Sequence, residues 1–280
     1  MTAINSSKIG ITVGGSYDPA WVGSADIIAR FLNSKFSDLK QAAPTEHLNK
    51  VEPFSLFWSS LFNKKIQTMA DELFNDIRQR LNCPTAKTIE LDLCVGVSLG
   101  GIVLKELIAQ GRLIPKTFVT VASPHDGASK LVHTLSGLCC GPCLFTNDAG
   151  VVHQLSNIPD RHGWFDWLTT CWTGLCETGC LEPQPHHPTA EDYLSDLHKR
   201  FLEKSEGIHV VYIGVKDDPI VPVKSATANI IARQPTNIST VLPTTHVLAS
   251  EISCCLEHQI GPVSQKVLEK IAEEVRPKKT

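Results

Sequence analysis

The segment Gly96-Val97-Ser98-Leu99-Gly100 is the part of the sequence whose residue types point most directly to chemistry. A serine with a glycine two positions to either side suits a sharp turn between a strand and a helix, because that turn leaves no room for larger side chains. Such a turn lifts the hydroxyl above the edge of a sheet, at the N-terminus of a helix. The spacing predicts that Ser98 is a nucleophile, and an ordinary glycine turn is the alternative.

With this motif the chain resembles the lipase and serine-esterase branch of the α/β hydrolases, over both ends of the sequence but not its middle. The segment VASPHDGAS, residues 121–129, is similar to the SPHxG segment of lipase-like members. Val97 departs from the pattern, since such members commonly have a histidine there. His125 belongs to the wrong strand end for a general base, so we expect it to be structural.

A nucleophilic serine needs a base that takes its proton and a carboxylate that orients the base. In the α/β-hydrolase fold the order along the chain is serine, acid and histidine. The segment GVKDDPIVP, residues 214–222, resembles the acid-bearing turn of the family. We predict Asp218 as the acid, with Asp217 as the alternative.

Two histidines follow this turn and compete for the role of base. His258 ends the β-prone run ISCCLEH and precedes an amphipathic helical pattern, and HQIGPVSQKV resembles the histidine loop of many esterases. His246 lies closer to Asp218 along the chain, at a more ordinary interval. We predict His258 as the base and keep His246 as the alternative.

An oxyanion hole needs two backbone N–H groups aimed at the developing charge. The residue after the nucleophile, Leu99, is expected to supply one. The turn VGGSYD after the first strand is expected to supply the other, from Ser16. Gly14 stands where the family usually has a histidine, so the resemblance is incomplete at this turn.

The middle of the chain interrupts the pattern of strands and helices, from about residue 131 to residue 204. Its aromatic side chains either line an acyl pocket, as we predict for Trp164, Trp167 and Trp172, or form the core of the insertion itself. Six of the ten cysteines lie here, with a single CxxC pair at Cys140 and Cys143. Zinc, disulfides and reactive thiols are alternatives, but we expect apolar packing and neither a metal nor a cofactor.

The elements that must position these residues follow from hydrophobic spacing. Strands are predicted at residues 8–15, 51–60, 88–101, 117–123 and 209–215, alternating with helical patterns. Several strands are apolar on both faces, which indicates a parallel sheet covered by helices. We therefore predict an α/β-hydrolase fold with a mostly parallel central sheet. Residues 1–130 and 205–280 form its core, and residues 131–204 form an inserted cap rich in cysteine and tryptophan.

Composition narrows the class of partner. The chain has 280 residues, 42% of them hydrophobic, and a net charge of -3, so no overall field attracts nucleic acid. No window approaches the length of a membrane span, and the N-terminus lacks the pattern of a signal peptide. We expect a cytoplasmic protein that acts on a small-molecule or lipid ester, with peripheral membrane contact possible.

These expectations combine into one hypothesis about function. The chain is predicted to hydrolyse a carboxylic ester through an acyl-enzyme intermediate formed on Ser98. A thioesterase or an acyltransferase would use the same triad. The alternative from another class is a catalytically inactive member of the fold that acts as a binding module.

Overall fold

The computed structural model describes residues 4–5, 9–15, 23–42, 50–56, 64–127, 190–215, 218, 221, 223–228, 238–242 and 263–275. The strands are β1 (Ile4–Asn5), β2 (Ile9–Val13), β3 (Lys50–Phe54), β4 (Ile89–Val97), β5 (Leu113–Val121), β6 (His209–Val215) and β7 (Ile238–Leu242). The helices are α1 (Ser24–Ala42), α2 (Ile66–Arg80), α3 (Leu99–Ala109), α4 (Ala190–Lys204) and α5 (Gln265–Val275), with a π-helical turn at Lys224–Ala228. No helix in these ranges combines the length and the apolar character needed to cross a membrane.

The described strands form one sheet in the order β3-β2-β4-β5-β6-β7, with β1 paired to β4. Every pairing among them is parallel. The carboxyl ends of the strands therefore share one edge. This architecture fits the α/β-hydrolase fold, and the predicted parallel α/β sheet flanked by helices is confirmed. Most of the predicted cap lies outside the described residues, so the division into core and cap stays a prediction.

Helices cover both faces of this sheet, which explains why its strands are apolar throughout. Along β6, Val210 and Tyr212 pack with the cluster that contains residues of α2, α3 and α4. The alternate residues Val211, Ile213 and Val215 pack with the cluster that contains residues of α1 and α5. Successive side chains of a strand point to opposite faces, so each face has its own core.

Three described elements were missed from the sequence, namely the two-residue strand β1, strand β7 and helix α4. Strand β7 adds a sixth position to the main path of the sheet, next to β6. Helix α4 lies within the range 131–204 that was predicted as a cap, and it buries Leu194, Leu197 and Phe201 in the same cluster as α3. These three residues recur at helical spacing, but the irregular sequence before them obscured the pattern.

Helix α3 is buried along its whole length, including its two charged residues. Arg200 of α4 donates from two guanidinium nitrogens to the two carboxylate oxygens of Glu106, each at 3.1 Å. The hydroxyl of Tyr193 donates to the same carboxylate at 2.9 Å. Because a buried carboxylate is stable only when it is paired and hydrogen-bonded, these contacts hold α4 against α3.

Lys105 is the other buried charged residue of α3, at 1% exposure. Its Nζ lies 3.2 Å from Nδ1 of His198 on α4 and 5.4 Å from the centre of the Phe201 ring. Burial lowers the pKa of Lys105 to about 7, although the nearby carboxylate of Asp126 acts in the opposite direction. The charged form is disfavoured because burial removes the amine from the solvent that would stabilise its charge.

Replacing Lys105 by methionine tests this burial. Lysine in the unfolded chain keeps its ordinary pKa of 10.5. Between about pH 7 and that value the unfolded state binds more protons, so the free energy of unfolding of the wild type rises with pH. Lys105→Met should be more stable than the wild type at pH 7 and below, and its advantage should shrink as the pH rises towards 10.

Urea unfolding at a series of pH values measures this difference. Lys199→Met, at an exposed position of α4, is the control and should follow the wild-type curve. A stability difference between Lys105→Met and the wild type that does not change with pH would contradict the lowered pKa.

Candidate active site

Ser98 occupies the turn between β4 and α3, which is the strand-turn-helix context that the sequence predicted. Its backbone has φ 52° and ψ -125°, a conformation that residues other than glycine rarely adopt. The N–H of Ser98 donates to the carbonyl oxygen of Val121 in the neighbouring strand at 2.8 Å. Such conformations persist only where the surrounding structure enforces them, and they are concentrated at functional sites.

The two glycines of the motif allow backbone to pack directly on backbone. A Cβ atom at Gly100 would lie 2.5 Å from the carbonyl oxygens of both Val13 and Gly14, closer than real Cβ contacts. A Cβ atom at Gly96 would collide with the backbone of Gly101. Both positions therefore require glycine, because any side chain would push α3 away from the sheet.

The backbone that follows β2 also lies beside Ser98. A Cβ atom at Gly15 would lie 3.1 Å from Cβ of Ser98, so the backbone of Gly15 borders the serine side chain. The N–H of Gly14 is bonded to the carbonyl oxygen of Phe54 at 3.0 Å and belongs to the sheet. Leu99 is the first residue of α3, a position whose N–H has no partner within its helix.

Ser16 follows Gly15 directly in the chain but lies outside the described residues. Leu99 and Ser16 stay our predictions for the two donors of the oxyanion hole. Trp164, Trp167, Trp172 and the six cysteines of the predicted cap also lie outside the described residues. In the described part of the chain, no cluster of three His, Cys, Asp or Glu residues suits a metal ion.

Asp218 lies just beyond the carboxyl end of β6 and is 6% exposed. Its Oδ1 accepts a hydrogen bond from the N–H of Val221 at 2.9 Å, and its own N–H donates to the carbonyl oxygen of Val215 at 3.4 Å. The carboxylate is thus held by the turn that follows the strand. Asp217, the alternative acid, lies outside the described residues.

The order of the strands places Ser98 and Asp218 at one edge. Ser98 follows β4, Asp218 follows β6, and β5 lies between these strands. Two strand spacings amount to about 10 Å, of the order of the distance that an imidazole spans when each of its two nitrogens makes a hydrogen bond. Parallel α/β sheets bind their ligands at this edge.

The segment 243–262, which carries His246 and His258, connects β7 to α5. It leaves the carboxyl end of β7, which is parallel to β6. It then enters α5, whose Glu274 lies near the far end, 3.1 Å from Nε2 of His209 at the start of β6. The first turn of α5 therefore faces the carboxyl edge. Both histidines lie outside the described residues.

His125 is buried in a setting that fits the structural role expected for it. Its Nε2 lies 3.0 Å from the hydroxyl of Thr120, and its ring meets the ring of Tyr212 edge-on at 4.9 Å between centres. Burial, followed by the charges of Lys105 and His198, lowers the pKa of His125 well below its ordinary value. A histidine held neutral in this way packs as an uncharged ring.

The conformation of Ser98 predicts an unusual effect of glycine on stability. Ser98→Gly and Ser98→Ala both remove the hydroxyl, but only alanine retains the strain of the positive φ, about 1–3 kcal/mol. Glycine loses about 0.5–1 kcal/mol through its greater freedom in the unfolded chain. Ser98→Gly should therefore be more stable than Ser98→Ala by about 1 kcal/mol in chemical denaturation.

Glu72→Gly, at an exposed helical position of α2, is the matched control and should be less stable than Glu72→Ala by about 1 kcal/mol. If Ser98→Gly is no more stable than Ser98→Ala, the turn is not strained.

Comparison with known proteins finds no matching protein-family profile. No curated protein sequence matches the chain either. Among solved structures, it aligns over 98% of its length with 91% of Est1E from Butyrivibrio proteoclasticus, at 12% identity and a TM-score of 0.48. It aligns over 96% of its length with 89% of the serine hydrolase CCSP0084 from Cycloclasticus zankles, at 13% identity and a TM-score of 0.46.

A third similar structure is phospholipase PlaB from Legionella pneumophila, at 11% identity and a TM-score of 0.43. The alignment covers 75% of this chain and 40% of PlaB, so the chain spans less than half the length of that protein.

Proposed function

We propose that this chain is a serine hydrolase that cleaves a carboxylic ester through an acyl-enzyme intermediate. The observation that carries the proposal is the strained backbone of Ser98, at the carboxyl end of a central strand and directly before the first turn of α3. Asp218, buried and held at the end of β6, supports it as a carboxylate suited to orient a base. Strained conformations of this kind are concentrated at functional sites.

In this mechanism the Oγ of Ser98 attacks the carbonyl carbon of the ester while the base takes its proton. The oxyanion that forms is stabilised by the N–H groups of Leu99 and Ser16. The protonated base gives its proton to the departing alcohol, which leaves the acyl group on Ser98. The base then activates a water molecule, which releases the acid and regenerates the serine.

The proposed base is His258, oriented by Asp218. The approach to α5 from the carboxyl edge supports a histidine shortly before this helix, and His258 is seven residues before Gln265. Strand β7, which the sequence analysis missed, adds support for His246, four residues after Leu242. The competition between these two residues is therefore sharper than the sequence alone suggested.

The proposed substrate is a small-molecule or lipid ester, with its acyl group against Trp164, Trp167 and Trp172. A thioesterase or an acyltransferase would share the triad and differ in the leaving group or the acceptor. A binding module without catalysis is the rival from another class. The strained turn supports an enzyme, because such conformations are concentrated at functional sites, and reactivity of Ser98 distinguishes an enzyme from this rival.

Labelling with a fluorophosphonate probe tests the nucleophile, since only an activated serine reacts. Ser98→Ala should lose labelling and reduce hydrolysis of short p-nitrophenyl esters by at least about 10³-fold, because no other group can form the acyl-enzyme. Ser123→Ala is the matched control, as it removes a buried hydroxyl just after the neighbouring strand, and should keep both. Labelling that survives in Ser98→Ala would exclude Ser98 as the nucleophile.

A pair of alanine variants identifies the base. If His258 takes the proton from Ser98, His258→Ala should lower kcat by about 10³-fold or more, because the members of a triad act as a unit. His246→Ala should then change kcat by less than about threefold, the range of a residue outside the triad. The opposite ranking, measured as kcat on the same ester, would assign the base to His246.

A further inference from the structure

The described part of the chain contains a contact between two loops that the proposed mechanism does not use. Ser225 lies in the π-helical turn at Lys224–Ala228 and is 6% exposed. Its hydroxyl donates to the carbonyl oxygen of Gly127 at 2.5 Å and accepts from the N–H of Asp126 at 3.2 Å. One side chain thus satisfies two backbone groups from a segment almost one hundred positions away in sequence.

The partner segment is the loop that follows β5. The end of β5 also holds the turn of Ser98. Val121, the last residue of β5, accepts the N–H of Ser98, and the N–H of Ala122 donates to Ile213 of β6 at 2.8 Å. Ala122 has φ 48°, a second strained position at the same edge of the sheet. The loop after β5 is therefore fixed relative to the nucleophile.

On the other side, Ser225 belongs to the chain that continues from Asp218. The N–H of Val221 holds the carboxylate of Asp218, and the turn that begins at Val223 closes through a hydrogen bond from the hydroxyl of Thr227 to the carbonyl oxygen of Val223 at 2.7 Å. Both ends of this second bond lie within the turn. The bonds of Ser225 differ because they join the chain that follows Asp218 to the loop after β5, on the side of Ser98.

We infer that Ser225 is a positioning residue that holds the Asp218 turn in register with the loop after β5, and so with Ser98. This inference rests on the proposed function, because register matters only if Asp218 orients a base for Ser98. Loss of the hydroxyl leaves a buried carbonyl group and a part-buried N–H group without their partner and frees the turn to shift. A shift of about 1 Å in a catalytic group costs up to about 10²-fold in rate.

Ser225→Ala tests the inference, with Thr227→Val as the matched control. Both remove a buried hydroxyl from the same turn, but only the first breaks the contact between the loops. Ser225→Ala should lower kcat by about 10- to 100-fold with little change in KM, since the substrate pocket is untouched. The acidic limb of its kcat/KM profile should move to lower pH, because a displaced carboxylate stabilises the charged imidazole less. Thr227→Val should change neither quantity.

Amide hydrogen exchange supplies a readout that does not depend on activity. Ser225→Ala should speed exchange of the Val221 amide, which holds Asp218, whereas Thr227→Val should leave it near the wild-type rate. Unchanged exchange at Val221 in Ser225→Ala would overturn the inference. So would faster exchange accompanied by a kcat and a pH profile equal to those of Thr227→Val.

Ser98→Ala in the same assays distinguishes a failure of the proposed function from a failure of the inference about Ser225. A wild type without hydrolysis, or a Ser98→Ala variant that retains it, would refute the proposed function while the exchange at Val221 still decides whether Ser225 holds the turn. Loss of hydrolysis in Ser98→Ala, with Ser225→Ala equal to the control, would refute the role of Ser225 alone.

Discussion

Backbone lies directly against backbone where α3 begins, and this close packing sets the geometry of the whole carboxyl edge. The first turn of α3 contacts the carbonyl groups at the end of β2 through Gly100, and Gly96 faces Gly101 within the turn itself. Ser98 lies between these contacts and adopts φ 52°. The strain is local, but the packing that maintains it involves β2, β4 and β5 together. A side chain can be held in this orientation only because the surrounding sheet is rigid.

Helix α3, which begins directly after Ser98, is also held rigidly, because it is buried on every face. A helix of this kind normally carries apolar residues alone, yet α3 carries Lys105 and Glu106. Glu106 is satisfied by α4 through the charge of Arg200 and the hydroxyl of Tyr193, whereas the amine of Lys105 meets a ring nitrogen of His198. The two residues have different consequences. Glu106 fixes the position of α4, whereas Lys105 makes the stability of the protein depend on pH.

Features that depend on residues close together in the chain could be predicted from the sequence. The strand before Ser98 and the helix after it follow from hydrophobic spacing and two glycines, and Asp218 follows from a strand end and a short motif. Strand β7 escaped prediction because ISTVL is short and follows a proline-containing stretch, and such runs carry little periodicity. The contact of Ser225 with Asp126 and Gly127 could not be predicted, since nothing near Ser225 in sequence encodes a partner so distant. The choice between His246 and His258 depends equally on how a long segment returns to the edge.

The anchoring of α4 on α3 has a consequence for how this protein tolerates change. The segment 128–189 leaves the sheet at Gly127, which Ser225 holds, and rejoins the described chain at α4, which Glu106 holds. Both points are therefore fixed by contacts between described residues. For a flexible connection between two fixed points, the entropy of closure grows only with the logarithm of the length, so doubling the length costs about 0.6 kcal/mol. A change in the number of residues between these two points therefore leaves the anchoring contacts of Gly127 and α4 unaltered and has a small entropic cost.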